Sequence, residues 1–186
     1  MDESYEYKKH TITLMPDDCP ESPREWDNLG TFVAFHKREN HGDTDHGYKS
    51  ENYGDWDDLL KGIEEDHGPV IYHNVYMYSH SGSTVSTSPF SCQWDSGPLG
   101  IIFVPKKQVR EEYKWAKITK EREETILGYL QGEIDMYDTW LRGDIWGYKV
   151  EKGEEEIDSC WGFYGQDAAK AEAEGRVDTS EPALCA

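Results

Sequence analysis

A chain of 186 residues with 38 Asp and Glu against 19 Lys and Arg carries a formal charge of −19. That charge repels phosphate backbones and anionic lipid, so it argues against nucleic acid or a membrane surface as direct partners. The hydrophobic fraction is only 36%, but 7 Trp, 12 Tyr and 5 Phe supply large apolar bodies, so the chain reads as one folded domain and not as an acidic disordered segment.

Residues 5–15 alternate weakly and end in Thr11-Ile12-Thr13-Leu14-Met15, the pattern of an edge strand. Pro16, Pro20 and Pro23 then hold the backbone extended, Trp26-Asp27-Asn28-Leu29-Gly30 supplies a turn, and residues 31–36 form a short buried strand closing on His36. From 37 to 53 the hydrophobic period vanishes in a long polar loop that gathers His41, Asp43, Asp45 and His46. Asp55 is placed to cap a helix over 56–65, where Trp56, Leu59, Leu60 and Ile63 recur at spacings of three and four, and Gly68-Pro69 stops it.

Residues 70–78 are bulky in both alternating registers, as in a central strand covered on both faces. The stretch 78–100 is dense in Ser, Thr and Gly and holds His80, Cys92, Trp94 and Asp95; residues 83–88 are expected to return as a hairpin partner. Residues 100–104 form a second buried strand, 106–113 a basic helical turn, and 119–141 the longest helix, with Ile126, Leu130, Ile134, Tyr137 and Leu141 on one stripe. Two strands, 146–150 and 157–164, flank the Lys152-Gly153-Glu154 turn. An acidic frayed helix and flexible tail are expected over 166–186.

The expected class is α+β, with a mainly antiparallel sheet of about five to seven strands packed against the long helix and short helices, as one globular domain over 1–165. Cys19, Cys92, Cys160 and Cys185 stand far apart without a CxxC pair or a secretory leader, the usage of free thiols in a reducing cytoplasm. No apolar run reaches the ~18 residues of a membrane span.

Three constellations suggest chemistry. His36, His41, Asp43, His46 and His80, with Cys92 or Cys160 as thiolates, are suitable ligands for a divalent metal, although no HExxH, HxH or CxxC spacing calls for one and no cofactor is otherwise expected. Cys92 or a neighbouring Ser, with His80 as base and Asp95 as orienting carboxylate, has the residue types of nucleophilic catalysis; the plainer reading is an Asx turn over core residues. Phosphate-loop motifs are absent, and Tyr72, Tyr76 and Tyr78 read as ordinary sheet packing.

Charge distribution says more than any motif. Residues 15–68 hold 15 acids against 5 bases and 151–186 hold 10 against 3, whereas 106–122 hold 7 bases against 3 acids. The first acidic block contributes Asp43, Asp45, Asp55, Asp57, Asp58, Glu64, Glu65 and Asp66 to a candidate partner surface, and the second contributes Glu154, Glu155 and Glu156. Such a surface imitates a phosphate array and suits the cationic groove of a basic protein or nucleoprotein complex; a merely solvated acidic face is the alternative.

Several stretches resemble a family of uncharacterised proteins of tailed phages and mobile elements. They are residues 26–31 (WDNLGT), 80–82 (HSG), 89–97 (PFSCQWDSG), 141–148 (LRGDIWGY) and 158–165 (DSCWGFYG). The residue before His80 is more typically acidic in such proteins, whereas Ser79 stands here. The resemblance implies a phage accessory protein in the host cytoplasm, blocking a restriction or CRISPR-type nuclease complex through its acidic surfaces. The alternative expectation is a small metal-dependent or Cys/His hydrolase acting on nucleic acid or nucleotides.

Overall fold

The computed structural model describes residues 2–80, 82–92 and 94–180. Eight strands and four α-helices among the described residues confirm the α+β class and the antiparallel pairing. The strands do not form one sheet, however. They separate into two sheets of four, and the chain divides into two compact units, one made of the chain ends (up to Ser22 and from Thr139 onward), the other of Pro23–Asp138.

In the first unit, β1 (Glu3–Tyr7) and β2 (His10–Pro16) form a hairpin where a single edge strand was expected. Its two turn residues, Lys8 and Lys9, both adopt left-handed φ, 46° and 62°. Two-residue turns need that hand to match strand twist, and Asn or Gly normally announces it; two lysines leave no such sign. His10 is buried at the turn and donates Nδ1–H to the Lys8 carbonyl at 2.8 Å. β2 then takes as its other partner β7 (Ile145–Lys152), which pairs with β8 (Glu155–Tyr164), giving the order β1-β2-β7-β8. A pairing across more than a hundred residues has no local signature.

Helix α4 (Gln166–Ser180) covers this sheet. Ala169, Ala173 and Val177, one turn apart, are buried against Ile12, Leu14, Tyr148 and Val150. The expected frayed helix is thus a packed one over most of its length. Small alanines carry little hydrophobic signal but let the helix axis approach the strands closely. Residues 181–186, including Cys185, lie outside the described residues.

The second unit orders its strands β3-β6-β4-β5, from β3 (Thr31–Ala34), β4 (Val70–Ser79), β5 (Ser83–Ser86) and β6 (Ser96–Pro105). Helices lie on both faces of β6, which is buried on both, whereas β4, expected to be covered on both faces, leaves Tyr72 and Asn74 exposed beside Phe103 and Ile101. On one face α1 (Trp56–His67), capped by Asp55 accepting from the Asp58 N–H at 2.8 Å, buries Leu59 and Ile63 against Val33, Val70, Ile101 and Phe103. On the other lies α3 (Lys120–Leu141), with Tyr137 edge-on to Phe32 at 5.7 Å and Leu130 against Ile102 and Gly30. Each fully buried Leu, Ile or Phe here is worth about 1.5–3 kcal/mol. The central crossing is so tight that a Cβ on Gly100 would collide with the Val33 carbonyl. The short α2 (Lys106–Glu112) follows β6 directly. No helix among the described residues is long and apolar enough to cross a membrane.

Candidate functional site

Strand β3 lies at the edge of its sheet, and the polar loop after it folds back along that edge. The Asp43 N–H donates to the Phe32 carbonyl at 2.9 Å, while the Asp43 carboxylate accepts the Phe32 N–H at 2.8 Å. One residue thereby satisfies both backbone groups of an edge position. Gly42 makes the return possible: its φ is +74°, and a Cβ there would collide with the Phe32 carbonyl.

The loop is fixed from below by Arg24, whose side chain is 4% exposed. Its guanidinium donates Nε–H and Nη2–H to Asp43 at 2.8 and 3.0 Å, Nη1–H to Glu133 at 2.8 Å, and Nη2–H to the Gly30 carbonyl at 2.7 Å. Glu133, on α3, also accepts the N–H groups of Leu29 and Gly30. Burial works against the Arg24 charge, but the hydrogen bonds and charges of Asp43 and Glu133 outweigh it and hold its pKa above the ordinary value. Nothing in the sequence announces this network, because its members are separated by 19 and 109 residues.

Above it lies a cavity of about 370 Å³, lined in part by His36, Glu39, His41, His46 and Ser50. His41 is buried; its Nδ1 meets the Tyr137 hydroxyl at 2.9 Å and its Nε2 meets Glu39 Oε2 at 3.2 Å. The His36 ring stands 5.4 Å from that of His41. One ligand atom from each of His36, Glu39 and His41 falls within 4.8 Å of the others, which makes the three a possible metal-binding triad. Ligands on one tetrahedral ion lie about 3.4 Å apart, a separation that Glu39 Oε2 and His41 Nε2 already meet at 3.2 Å, so the closing in is left to the exposed His36. His41 itself is already oriented from behind, as metal-binding imidazoles usually are.

Burial holds the His41 pKa below its ordinary 6.5 despite the opposing Glu39 carboxylate, and burial lowers His46 likewise against Asp43. Both rings are therefore neutral at neutral pH, the form that ligates metal. Burial also pushes Tyr137 up to about 12, so its phenol stays protonated.

The sequence candidates fare unequally. His36 and His41 come together, joined by Glu39, which the sequence reading passed over although His36, Glu39 and His41 fall within six residues. Asp43 lines the same cavity, but its carboxylate is engaged by Arg24 and Phe32, which leaves it little freedom either as ligand or as partner contact. His46 also lines it, with Nδ1 accepting the Tyr48 N–H at 3.0 Å. His80 sits instead at the β4–β5 turn, and Cys160 on β8 of the other unit.

In the 78–100 stretch the order of contacts is not that of a catalytic triad. Asp95 Oδ2 lies 3.5 Å from His80 Nδ1 and 3.8 Å from Cys92 Sγ, so the carboxylate stands between base and thiol. Among the described residues His80 forms no hydrogen bond with Cys92. The Asp95 carbonyl accepts the Ser79 N–H at 2.9 Å, continuing the β4–β6 ladder, and the Ser96 hydroxyl donates to the Cys92 carbonyl, but Trp94, a core residue in the plainer reading, is 96% exposed.

The acidic candidates divide as well. Asp55, Asp57, Asp58, Glu64, Glu65 and Asp66 are all exposed around α1, and none makes an ion pair among the described residues. Asp45 is exposed too. Glu154, Glu155 and Glu156 are exposed at the β7–β8 turn of the other unit, with Glu156 3.4 Å from Lys149. Compared with family models, curated proteins and solved structures, the chain matches none.

Proposed function

We propose that this protein acts by binding, presenting the carboxylate face of α1 to a cationic surface on its partner. The observation that carries the reading is the set of exposed carboxylates on that helix, none of which forms an ion pair among the described residues, although Asp58 accepts the Gly54 N–H and Asp66 the Tyr48 hydroxyl. Five acids accompany one lysine in its sequence, and Asp57, Asp58, Glu64 and Glu65 project opposite the buried Leu59 and Ile63, with Lys61 among them. Charges left without partners in a folded chain contribute little to its stability and are available for steering association. The motif likeness to phage and mobile-element proteins directs the choice of partner towards a host nuclease complex of the restriction or CRISPR type, in the host cytoplasm, whose nucleic-acid groove is cationic. The test is capture of such a complex by the tagged protein at physiological salt and at about 1 M, where the screening length shrinks from ~8 Å to ~3 Å. Asp57→Asn/Glu64→Gln/Glu65→Gln should abolish capture, and capture indifferent to both salt and these changes would refute the reading.

A second reading rests on the His36–Glu39–His41 group. Together with His46 on the same cavity, it is suited to hold a zinc-like divalent ion with an open position for water or substrate, the arrangement a metal-dependent hydrolase requires. Titration with Zn²⁺ and metal analysis of wild type and Glu39→Gln/His36→Ala test it. One equivalent bound by the wild type and lost in the variant supports it; equal uptake by both assigns the metal to the acidic surface at large.

A further inference from the structure

The second unit contains a concentration of positive charge that neither reading uses. A cavity of about 390 Å³ is lined by Lys106, Lys107, Arg110, Lys117 and His67. Lys106 reaches Glu123 at 2.9 Å, but Lys107, Arg110 and Lys117 make no ion pair among the described residues, although Glu111 and Glu112 lie on the same short helix. In a chain with twice as many acids as bases, three unneutralised cations around one hollow is the reverse of what composition alone predicts. Gathering them costs free energy that a bound anion recovers.

The hollow is also built by specific backbone geometry. The Lys106 N–H donates to the Pro69 carbonyl at 2.9 Å and holds the start of α2 beside the start of β4. At the other end Lys114 takes a left-handed φ of 55°, and the Trp115 N–H returns to the Arg110 carbonyl at 3.1 Å, which brings residues 116–118 onto the same cavity. Lys114 stands just past the C-cap of α2, and the Trp115 N–H bond to the Arg110 carbonyl is the Schellman closure of a helix C-terminus, so the left-handed residue ends α2 and turns the chain back. Arg122 stacks over Trp115 at 4.6 Å and donates to the Lys117 carbonyl at 2.8 Å, so the returning segment is fixed on its far side.

We propose that this cavity is an anion site that takes the phosphate group of a small phosphate monoester. The Arg110 fork suits two phosphate oxygens at once, and the lysines add charge without fixed direction, a division that fits a dianion better than a single carboxylate. Pro69, Ala116 and Ile118 supply an apolar wall for the organic portion. The volume lies at the low end of the ~300–1,000 Å³ typical of small-molecule pockets, which suits a ligand of mononucleotide size. This site is independent of the acidic face and of the histidine cavity, and it stands if both of those readings fail.

The experiment is calorimetric titration at constant ionic strength with AMP, inorganic phosphate and adenosine, alongside amide NMR shift mapping. AMP and phosphate should bind saturably, adenosine should not, and the shifts should centre on residues 106–118. Arg110→Gln/Lys117→Gln, both exposed and free of structural bonds through their side chains, should weaken AMP by about tenfold or more. Lys152→Gln, an exposed lysine in the other unit, should leave it unchanged. The proposal is overturned by adenosine binding as well as AMP, by affinity unchanged in the double variant, by an equal loss in Lys152→Gln, or by no saturation.

Discussion

The loop that follows β3 and the outer face of α1 are both acidic, yet the fold uses their charges in opposite ways. In the loop, Asp43 and, beneath it, Glu133 are consumed by Arg24 and by backbone N–H groups, so that their carboxylates hold an edge strand and a cavity wall in place. On α1, Asp57, Glu64 and Glu65 bond to nothing among the described residues. Charge satisfied inside a fold specifies structure, whereas charge left over at its surface is free to recognise something else.

That contrast can be broken most forcefully at Arg24. Arg24→Ala leaves two largely buried carboxylates without their countercharge, held only by backbone N–H groups, and should destabilise the second unit by about 3–5 kcal/mol in urea unfolding, against less than ~0.5 kcal/mol for removal of an exposed charge such as Lys61→Ala. A loss as small as that of Lys61→Ala would mean that the network is incidental.

Next in size is the response to metal. If His36, Glu39 and His41 bind Zn²⁺, a free concentration a hundredfold above the dissociation constant stabilises by about 2.7 kcal/mol, read as a rise in melting temperature that Glu39→Gln/His36→Ala removes.

A smaller effect comes from His41. Its folded-state pKa lies below the ordinary 6.5, so the unfolded chain binds the proton more readily. The ring contributes no pH dependence well above 6.5, and stability declines as pH falls through that value towards the depressed one, with a slope of at most about 1.4 kcal/mol per pH unit. His41→Gln should flatten that part of the stability profile; an unchanged slope assigns it to other groups, His46 first among them.

The smallest expected change is on α1. Asp57→Asn/Glu64→Gln/Glu65→Gln should alter stability by no more than about 0.5 kcal/mol per site, since the last two carboxylates stand in the half of the helix where its dipole disfavours them. A large loss there would erase the distinction between the two regions.

Legibility in the sequence followed the range of the interactions. The Asp55 cap, the α1 face, the stripe of α3 and strand β4 depend on residues within a few positions of one another, and their bounds are close to those the sequence suggests, whereas β6 begins at Ser96, four residues before the apolar run at 100–104 that announces it. Division into two sheets was not read, because β2 joins β7 across most of the chain and the Lys8-Lys9 turn lacks the usual Gly or Asn. Nor was the candidate site read whole. The His residues drew attention by type, whereas Arg24 and Glu133, which hold their loop, are unremarkable in sequence, and the 78–100 stretch attracted a catalytic reading because reactive residue types are adjacent there without being mutually oriented. Orientation by long-range buried contacts separates the two loops, and composition carries no record of it.

The most direct test of the binding account is competition for DNA on a purified host nuclease complex captured by the protein. The account predicts that wild-type protein displaces DNA from the complex at ~0.15 M salt, loses that ability near 1 M, and loses it at both when Asp57, Glu64 and Glu65 are neutralised together. Displacement that persists undiminished in the neutralised variant would contradict it.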